Sequence, residues 1–207
     1  MKLIKHFLYV ALSSTKTLFD ANAFHLSPVG NQRSPRMKTP LQTTNDSAGD
    51  VFITALTADR PEVSSCYAVR RSVFIEEQQV PVDIEMDAND ETAVHLLASC
   101  DGVPCGAARL VLMTDDHDVD GAAEAARVGK IGRVCVLASH RKRGIGRKIV
   151  LCAVEELGRS LGRGGIARLG AQVHALSFYE SMGFRLLPGA EYMDAGGVPH
   201  RDMEMVL

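Results

Sequence analysis

The run Arg141-Lys142-Arg143-Gly144-Ile145-Gly146 places three cations and two glycines within six residues. It lies between a strand-like apolar run, Ile131–Leu137, and a helix-like run from Ile145 to about Leu161. A chain that leaves a strand, turns on glycines and enters a helix aims free backbone N–H groups at one spot. The helix start adds partial positive charge there. Glycine has no Cβ, so the backbone can approach a ligand closely. Together these features make a pyrophosphate cradle. A P-loop does not fit, because Gly146 is followed by Arg147-Lys148-Ile149 with no hydroxyl to hold magnesium. A dinucleotide fingerprint does not fit either, because Ile149 stands where its third glycine belongs. Taken alone, the run is also compatible with an ordinary glycine turn beside a solvated basic face.

A second segment follows at a telling distance. The strand-like run Ile166–Val173 leads into Phe178-Tyr179-Glu180-Ser181-Met182-Gly183-Phe184. Gly183 suits a helix C-cap. Phe178 and Tyr179, read singly, are ordinary core aromatics. In this order, separated by a helix and a strand, the two segments match R/Q-x-x-G-x-G/A and F-Y-x-x-x-G-F. The pair resembles the GNAT superfamily of N-acetyltransferases. A third segment is similar to a subgroup with the opening R-x-x-V-F-x-x-E-Q-x-V-P, here Arg70 through Val73-Phe74 and Glu77-Gln78 to Val80-Pro81. Glu85-x-Asp87-x-x-Asp90, Ala93-x-His95, Gly129–Arg133 and Gly197-Val-Pro-His200 fit the same pattern. The resemblance spans about residues 51–207.

The resemblance implies an α+β fold: a largely antiparallel, twisted mixed sheet with helices on both faces and splayed central strands. It implies acetyl-CoA as co-substrate and a primary amine of a small molecule or protein as acceptor. The Arg141, Lys142, Arg143, Gly144, Ile145 and Gly146 turn, with Phe178, would hold the CoA end. Val134, Cys135 and Val136 would meet pantetheine through their backbone, and the Val136 amide would face the thioester carbonyl. Tyr179 would lie beside the CoA sulfur. An alkylammonium has a pKa of about 10, so a base must remove a proton before attack. Glu85 and His95 are the leading candidates for that base. Glu77, Asp87, Asp90 and His200 are further ones, while His174 suits a helix cap or an exposed position. A homodimer is compatible with the resemblance. Two alternatives remain open: a non-catalytic acyl-CoA-binding module, and an enzyme like the acyl-homoserine lactone synthases, which the Arg70 to Phe74 and Glu85-x-Asp87 spacings also resemble.

The rest of the chain must position these groups. Its 207 residues suggest one domain plus an extension. Residues 1–50 hold six basic and three acidic residues, leaving 17 basic and 22 acidic residues for the body. An acidic body argues against general nucleic-acid binding. The extension is basic and acid-poor, with a short apolar run Phe7–Leu12 and an Ala21-Asn-Ala23-Phe24 stretch. It reads as a plastid or mitochondrial presequence or as a disordered tail. No apolar run is long enough to span a membrane. The five cysteines form no C-x-x-C pair and read as buried free thiols, with no metal site.

The periodicity predicts a strand at Val51–Leu56, a helix from Arg60 or Pro61 to about Glu76, and an acidic loop Val82–Glu91. Ala93–Cys100 and Val103–Met113 should form a hairpin around Asp101-Gly102. Residues 114–126 suggest an exposed insertion or short helix. Val128–Leu137 should be the central strand and Gly144–Leu161 an amphipathic helix. Strand Ile166–Val173, helix Leu176–Met182, and strands Phe184–Leu187 and Met203–Leu207 complete the expected order.

Overall fold

A computed structural model describes residues 50–113, 127–194 and 196–207. The presequence reading of residues 1–50, apart from Asp50, and the expected insertion or short helix at 114–126 lie outside the described residues. The sheet is built around the hairpin of β2 (Val94–Cys100) and β3 (Val103–Met113). Asp101 and Gly102 both adopt positive φ, 52° and 78°. That is the turn geometry whose twist matches two antiparallel strands. β1 (Val51–Thr57) pairs with β2 on one side, and β4 (Val128–Val136) pairs with β3 on the other.

Beyond β4 come β5 (Ile166–Gln172), β8 (Pro199–Val206) and β6 (Arg185–Leu186), and β7 (Tyr192–Met193) also pairs with β8. All pairings are antiparallel except β4 with β5. That parallel ladder is short, running only from Val128 opposite Ile166 to Lys130 opposite Arg168. The central strands therefore separate towards their C-terminal ends.

Helices cover both faces of the sheet. The 17-residue α3 (Ile145–Leu161) buries Ile145, Ile149, Ala153, Leu157 and Leu161, the predicted i, i+4 stripe. It packs with Leu96, Ala98, Ala108, Leu110, Ile131 and Leu169. On the other face, α1 (Val63–Arg70) buries Val63, Cys66 and Val69 against Leu56, Leu97, Ala107 and Cys135. All five cysteines carry free thiols. Among the described residues, no helix is long and apolar enough to cross a membrane. None of their His, Cys, Asp and Glu side chains form a group able to hold a metal ion.

Several elements differ from the sequence reading. The first helix ends at Arg70 and continues as a π-helical turn, Arg71–Glu77. The acidic loop contains a short α2 (Val82–Glu85) and a 3₁₀ turn, Ala88–Glu91, capped by Asp87 and Asp90. The helix after β5 is shorter, α4 (Leu176–Glu180). β8 begins at Pro199, four residues before its expected start, and β7 was not foreseen. Proline at the first position of a strand is tolerated but masks the strand in the sequence.

α3 lies unusually close to β4 at Gly129. A β-carbon there would fall 2.4 Å from Leu157 Cδ2, and Leu157 is enclosed in the core. Gly129→Ala should therefore cost about 1–3 kcal/mol through overpacking. Urea denaturation measures this, and an unchanged midpoint would contradict the packing described.

Candidate active site

The site begins with an irregularity in β4. Ala107 faces Cys135, yet Arg109 faces Gly132, so β4 carries one residue more than β3 over this stretch. This is a β-bulge, which bends its strand and increases the local twist. Arg133 lies inside it with φ of 54°. The left-handed region costs a non-glycine residue roughly 1–2 kcal/mol, so something must hold Arg133 there.

What holds it is a buried lattice of charges. The Arg133 guanidinium donates to Ile84 O at 2.7 Å and to Glu85 O at 3.2 Å, and it ion-pairs with Glu85 Oε2 at 2.7 Å. Arg70, fully buried, donates through Nε to Glu85 Oε1 at 2.7 Å and through Nη1 to Asp90 Oδ1 at 2.7 Å. Arg109 donates to both Asp87, at 2.7 Å, and Asp90, at 2.9 Å. Three arginines thus meet three carboxylates. Burial pushes the Asp90 carboxyl up, but the hydrogen bonds from Arg70 and Arg109 outweigh it and hold the group at about 2. For Glu85, burial wins over Arg70 and Arg133, and its carboxyl lies above the usual range.

Two predicted base candidates sit in or beside this lattice. Both Glu85 oxygens are engaged, one by Arg70 and the other by Arg133, and the residue is buried. His95 is fully buried. Its Nε2 lies 3.0 Å from the Asp90 carbonyl, which can only accept, so Nε2 carries the proton. Its Nδ1 is enclosed without a partner. Burial lowers the His95 pKa, so the ring is neutral. Neither side chain presents an open atom to solvent.

The bulge frees one edge of β4. Leu137 N–H donates to Cys105 O on the β3 side, so the preceding amide, Val136 N–H, points the opposite way. That edge faces the gap left by β5. Val136 O accepts from Arg141 Nε at 2.9 Å. Arg141 places its other two nitrogens on Glu77, at 2.7 and 2.6 Å. The sequence suggested that Arg141 lends its charge to an anion. Its guanidinium instead braces the end of β4 against the π-helical turn.

Directly beyond, Lys142 and Gly144 adopt φ of 62° and 75° and bring the chain into α3. The first α3 amide that bonds back into this turn is Lys148, to Gly144 O at 3.1 Å. The amides of Ile145, Gly146 and Arg147 precede it and have no intrahelical acceptor. No side chain caps them, and the first turn contains no acidic residue. Helix starts favour negative charge, yet this one carries Arg147 and Lys148. Arg143 turns to Cys100 Sγ at 3.4 Å and Arg147 to Ser181. The arrangement suits an external anion.

The remaining predicted residues converge here. A β-carbon on Gly146 would lie 3.6 Å from Phe178 Cζ and 3.8 Å from Val136 Cγ2, so β4, α3 and α4 meet at this point. Tyr179 packs edge-on against Phe178 and Phe184, with centroids 5.0 and 6.0 Å away. Burial pushes its phenol up to about 12, so it is neutral at physiological pH. Its hydroxyl has no hydrogen-bond partner among the described residues, and it is not one of their enclosed polar atoms. Val134 packs at the α3 face. The Cys135 thiol is buried on the α1 face, where burial raises it to about 12, so only its backbone faces the gap.

Residues 93–207 match the family model described as an acetyltransferase (GNAT) domain. The chain belongs to the GNAT acetyltransferase family. An uncharacterized N-acetyltransferase of Bacillus subtilis, YjcF, is 34% identical over 142 residues, covering 69% of this chain and 91% of that protein. An acyl-CoA N-acyltransferase from Pseudomonas aeruginosa is 26% identical with a TM-score of 0.59, over 73% of this chain and 97% of its own. Arabidopsis thaliana Naa50, solved with the bisubstrate analogue CoA-Ac-MVNAL, shares the fold at 16% identity and a TM-score of 0.57, over 75% and 99%.

The GNAT lattice has a testable acid response. Asp90 is held at about 2 against an ordinary 3.8. A carboxyl depressed by folding contributes fully above its unfolded pKa and loses that contribution as pH falls through its folded one. Stability should therefore drop between about pH 4 and pH 2. Asp90→Asn should be less stable at neutral pH and fall less steeply across that window. Parallel curves in denaturant titrations would contradict the lattice's role.

Proposed function

We propose that this GNAT protein transfers the acetyl group of acetyl-CoA to a primary amine. The observation that carries the reading is the uncapped, basic start of α3 beside the freed edge of β4. The pyrophosphate would accept from the amides of Ile145, Gly146 and Arg147, with Gly144 giving clearance. Pantetheine would extend along β4 in the gap before β5. The Val136 amide would donate to the thioester oxygen, which gains negative charge as the amine attacks. Such a donor is worth a few kcal/mol when it is pre-aimed. The CoA-linked analogue on Naa50 supports this through likeness of fold alone.

Tyr179 would face the leaving sulfur. A thiol has a pKa of about 8.5, and the Tyr179 phenol lies at about 12. Complete proton transfer from tyrosine to thiolate is therefore uphill by roughly 5 kcal/mol. The hydroxyl is better suited to hydrogen-bonding the developing thiolate while the proton of the attacking nitrogen reaches it. Tyr179→Phe keeps the ring and removes that bond. It should lower kcat about 10–100-fold with acetyl-CoA affinity unchanged, since a hydrogen bond to a charged group is worth about 1.5–3 kcal/mol. Equal single-turnover rates would make Tyr179 a packing residue.

Calorimetry with acetyl-CoA and the full chain tests the donor site. Gly146→Glu has ordinary room for its Cβ. It should raise thermal stability slightly, because it improves helix propensity and places a negative charge at the helix start. The same carboxylate should abolish acetyl-CoA binding by occupying the anion site. Retained affinity in the folded variant would remove the reading.

A further inference from the structure

The gap between β4 and β5 opens on two faces. One carries the start of α3 and, in the reading above on which this inference rests, receives the donor. The other must admit the acceptor. On β5, Ala167, Leu169 and Ala171 join the core beneath α3. Side chains alternate along a strand, so Gly170 and Gln172 face the opposite side. Their partners on β8, Asp202 and His200, share that face. The Tyr192 hydroxyl confirms the geometry: it donates to Asp202 Oδ1 at 2.9 Å and would lie 2.6 Å from a β-carbon on Gly170. β4 pairs with β5 only as far as Lys130 opposite Arg168, so Gln172 lies where β5 borders the gap. His200 is opposite Gln172, so it stands one strand beyond the gap.

The turn after β7 closes this face. A β-carbon on Gly196 would lie 3.4 Å from Val80 Cγ2, in the segment following the π-helical turn. Acceptor-side chemistry is thus gathered between Val80 and β8.

Two features separate this cluster from the buried lattice. First, the tautomer of His200 is set. Its Nδ1 lies 2.8 Å from Val198 O, a carbonyl that can only accept, so Nδ1 carries hydrogen and Nε2 keeps its lone pair. Asp194 fixes that arrangement by accepting from Gly196 N at 3.0 Å and Val198 N at 2.8 Å, with its Oδ2 3.7 Å from His200 Nδ1. Tyr192 stacks on the ring, 6.0 Å between centroids. Second, the carboxylates of Glu77, Glu85, Asp87, Asp90 and Glu204 all pair with arginine. Asp202 bonds to a neutral phenol instead, which leaves its charge uncompensated for a cation.

We propose that His200 Nε2 takes the proton from the acceptor and that Asp202 holds the acceptor's ammonium as it arrives. The acceptor class is then a cationic primary amine. The ammonium N–H bond breaks towards His200, giving neutral amine and imidazolium. The amine nitrogen attacks the thioester carbon and the C–S bond breaks. A second N–H proton passes to the thiolate, yielding amide and CoA thiol, and imidazolium releases its proton to water. The neutral amide no longer has the charge that attracted it to Asp202, which favours its departure.

The test uses the full chain at saturating acetyl-CoA with two probes. n-Butylamine is an ammonium at neutral pH, and O-methylhydroxylamine is already uncharged and needs no base. His200→Gln should lower kcat for n-butylamine about 100-fold. It should also remove the acid limb of the pH–rate profile for n-butylamine. O-Methylhydroxylamine turnover should change by less than about 3-fold, far below the effect of a lost general base. Asp202→Asn should raise KM for n-butylamine about 10-fold, a loss expected for one ion pair or charged hydrogen bond. Its KM for acetyl-CoA should be unchanged. Equal losses for both probes, an unaltered pH profile, or no transfer to n-butylamine by a chain that binds acetyl-CoA would overturn the assignment. Failure to bind acetyl-CoA at all would instead overturn the donor reading.

Discussion

The buried arginine–carboxylate lattice is the constraint on which the site depends. Arg133 occupies a backbone conformation that its side chain would not choose, and the Ile84–Asp87 segment holds it there. The bulge this maintains bends β4, and β4 leaves β5 after only three paired positions. Four of the six charges, Arg70, Arg109, Glu85 and Asp90, are buried, and that burial carries a large desolvation cost that close pairing only roughly offsets. The lattice is therefore better understood as a device that fixes geometry than as a source of stability. Displacing a buried member such as Arg70 would leave Glu85 and Asp90 short of a partner in a largely dry environment. That penalty ties the segment before β2, the bulge of β4 and the end of α1 into one arrangement.

From the bulge, the two halves of the site diverge. Towards α3, backbone amides rather than side chains would form the anion-attracting surface. Arg141, the cation most suggestive in the sequence, is engaged with Val136 O and Glu77. Its position makes sense mechanically, because it fixes the β4 end whose next free group is the Val136 amide. Towards β8, the side chains would carry the proposed chemistry. Tyr192, Asp202 and His200 stand clear of the lattice, and none of them pairs with an arginine in the manner of Glu85 or Glu204. In the proposed reading, Val136 lies between and would be reached by donor and acceptor from opposite faces.

Much of this was legible in the sequence where local rules decide. The Asp101-Gly102 hairpin, the buried stripe of α3 and the glycine entry to that helix follow from turn chemistry, periodicity and the absence of a Cβ. Tyr179 and Phe178 were legible as motif members, and Gly183 as a cap, with φ of 100°. Partner choice in the charged segment was not legible. Glu85 reads as a base candidate in an acidic loop, and only the fold brings it to Arg70, 15 residues earlier, and to Arg133 on a distant strand. The bulge has no local signature, since Arg133 lies in an unremarkable strand pattern. The π-helical turn and β7 were missed for a related reason: each is stabilised by tertiary contact rather than by propensity.

Backbone amide exchange, followed residue by residue with and without CoA, tests the central claim most directly. The lattice-held gap predicts slowed exchange at Ile145, Gly146 and Arg147, where phosphate oxygens would accept, and at Val136, on the freed edge of β4. Amides of β1 and β2, far from the gap, should not change. Protection confined to other elements, or none at these four amides when CoA is bound, would contradict the account.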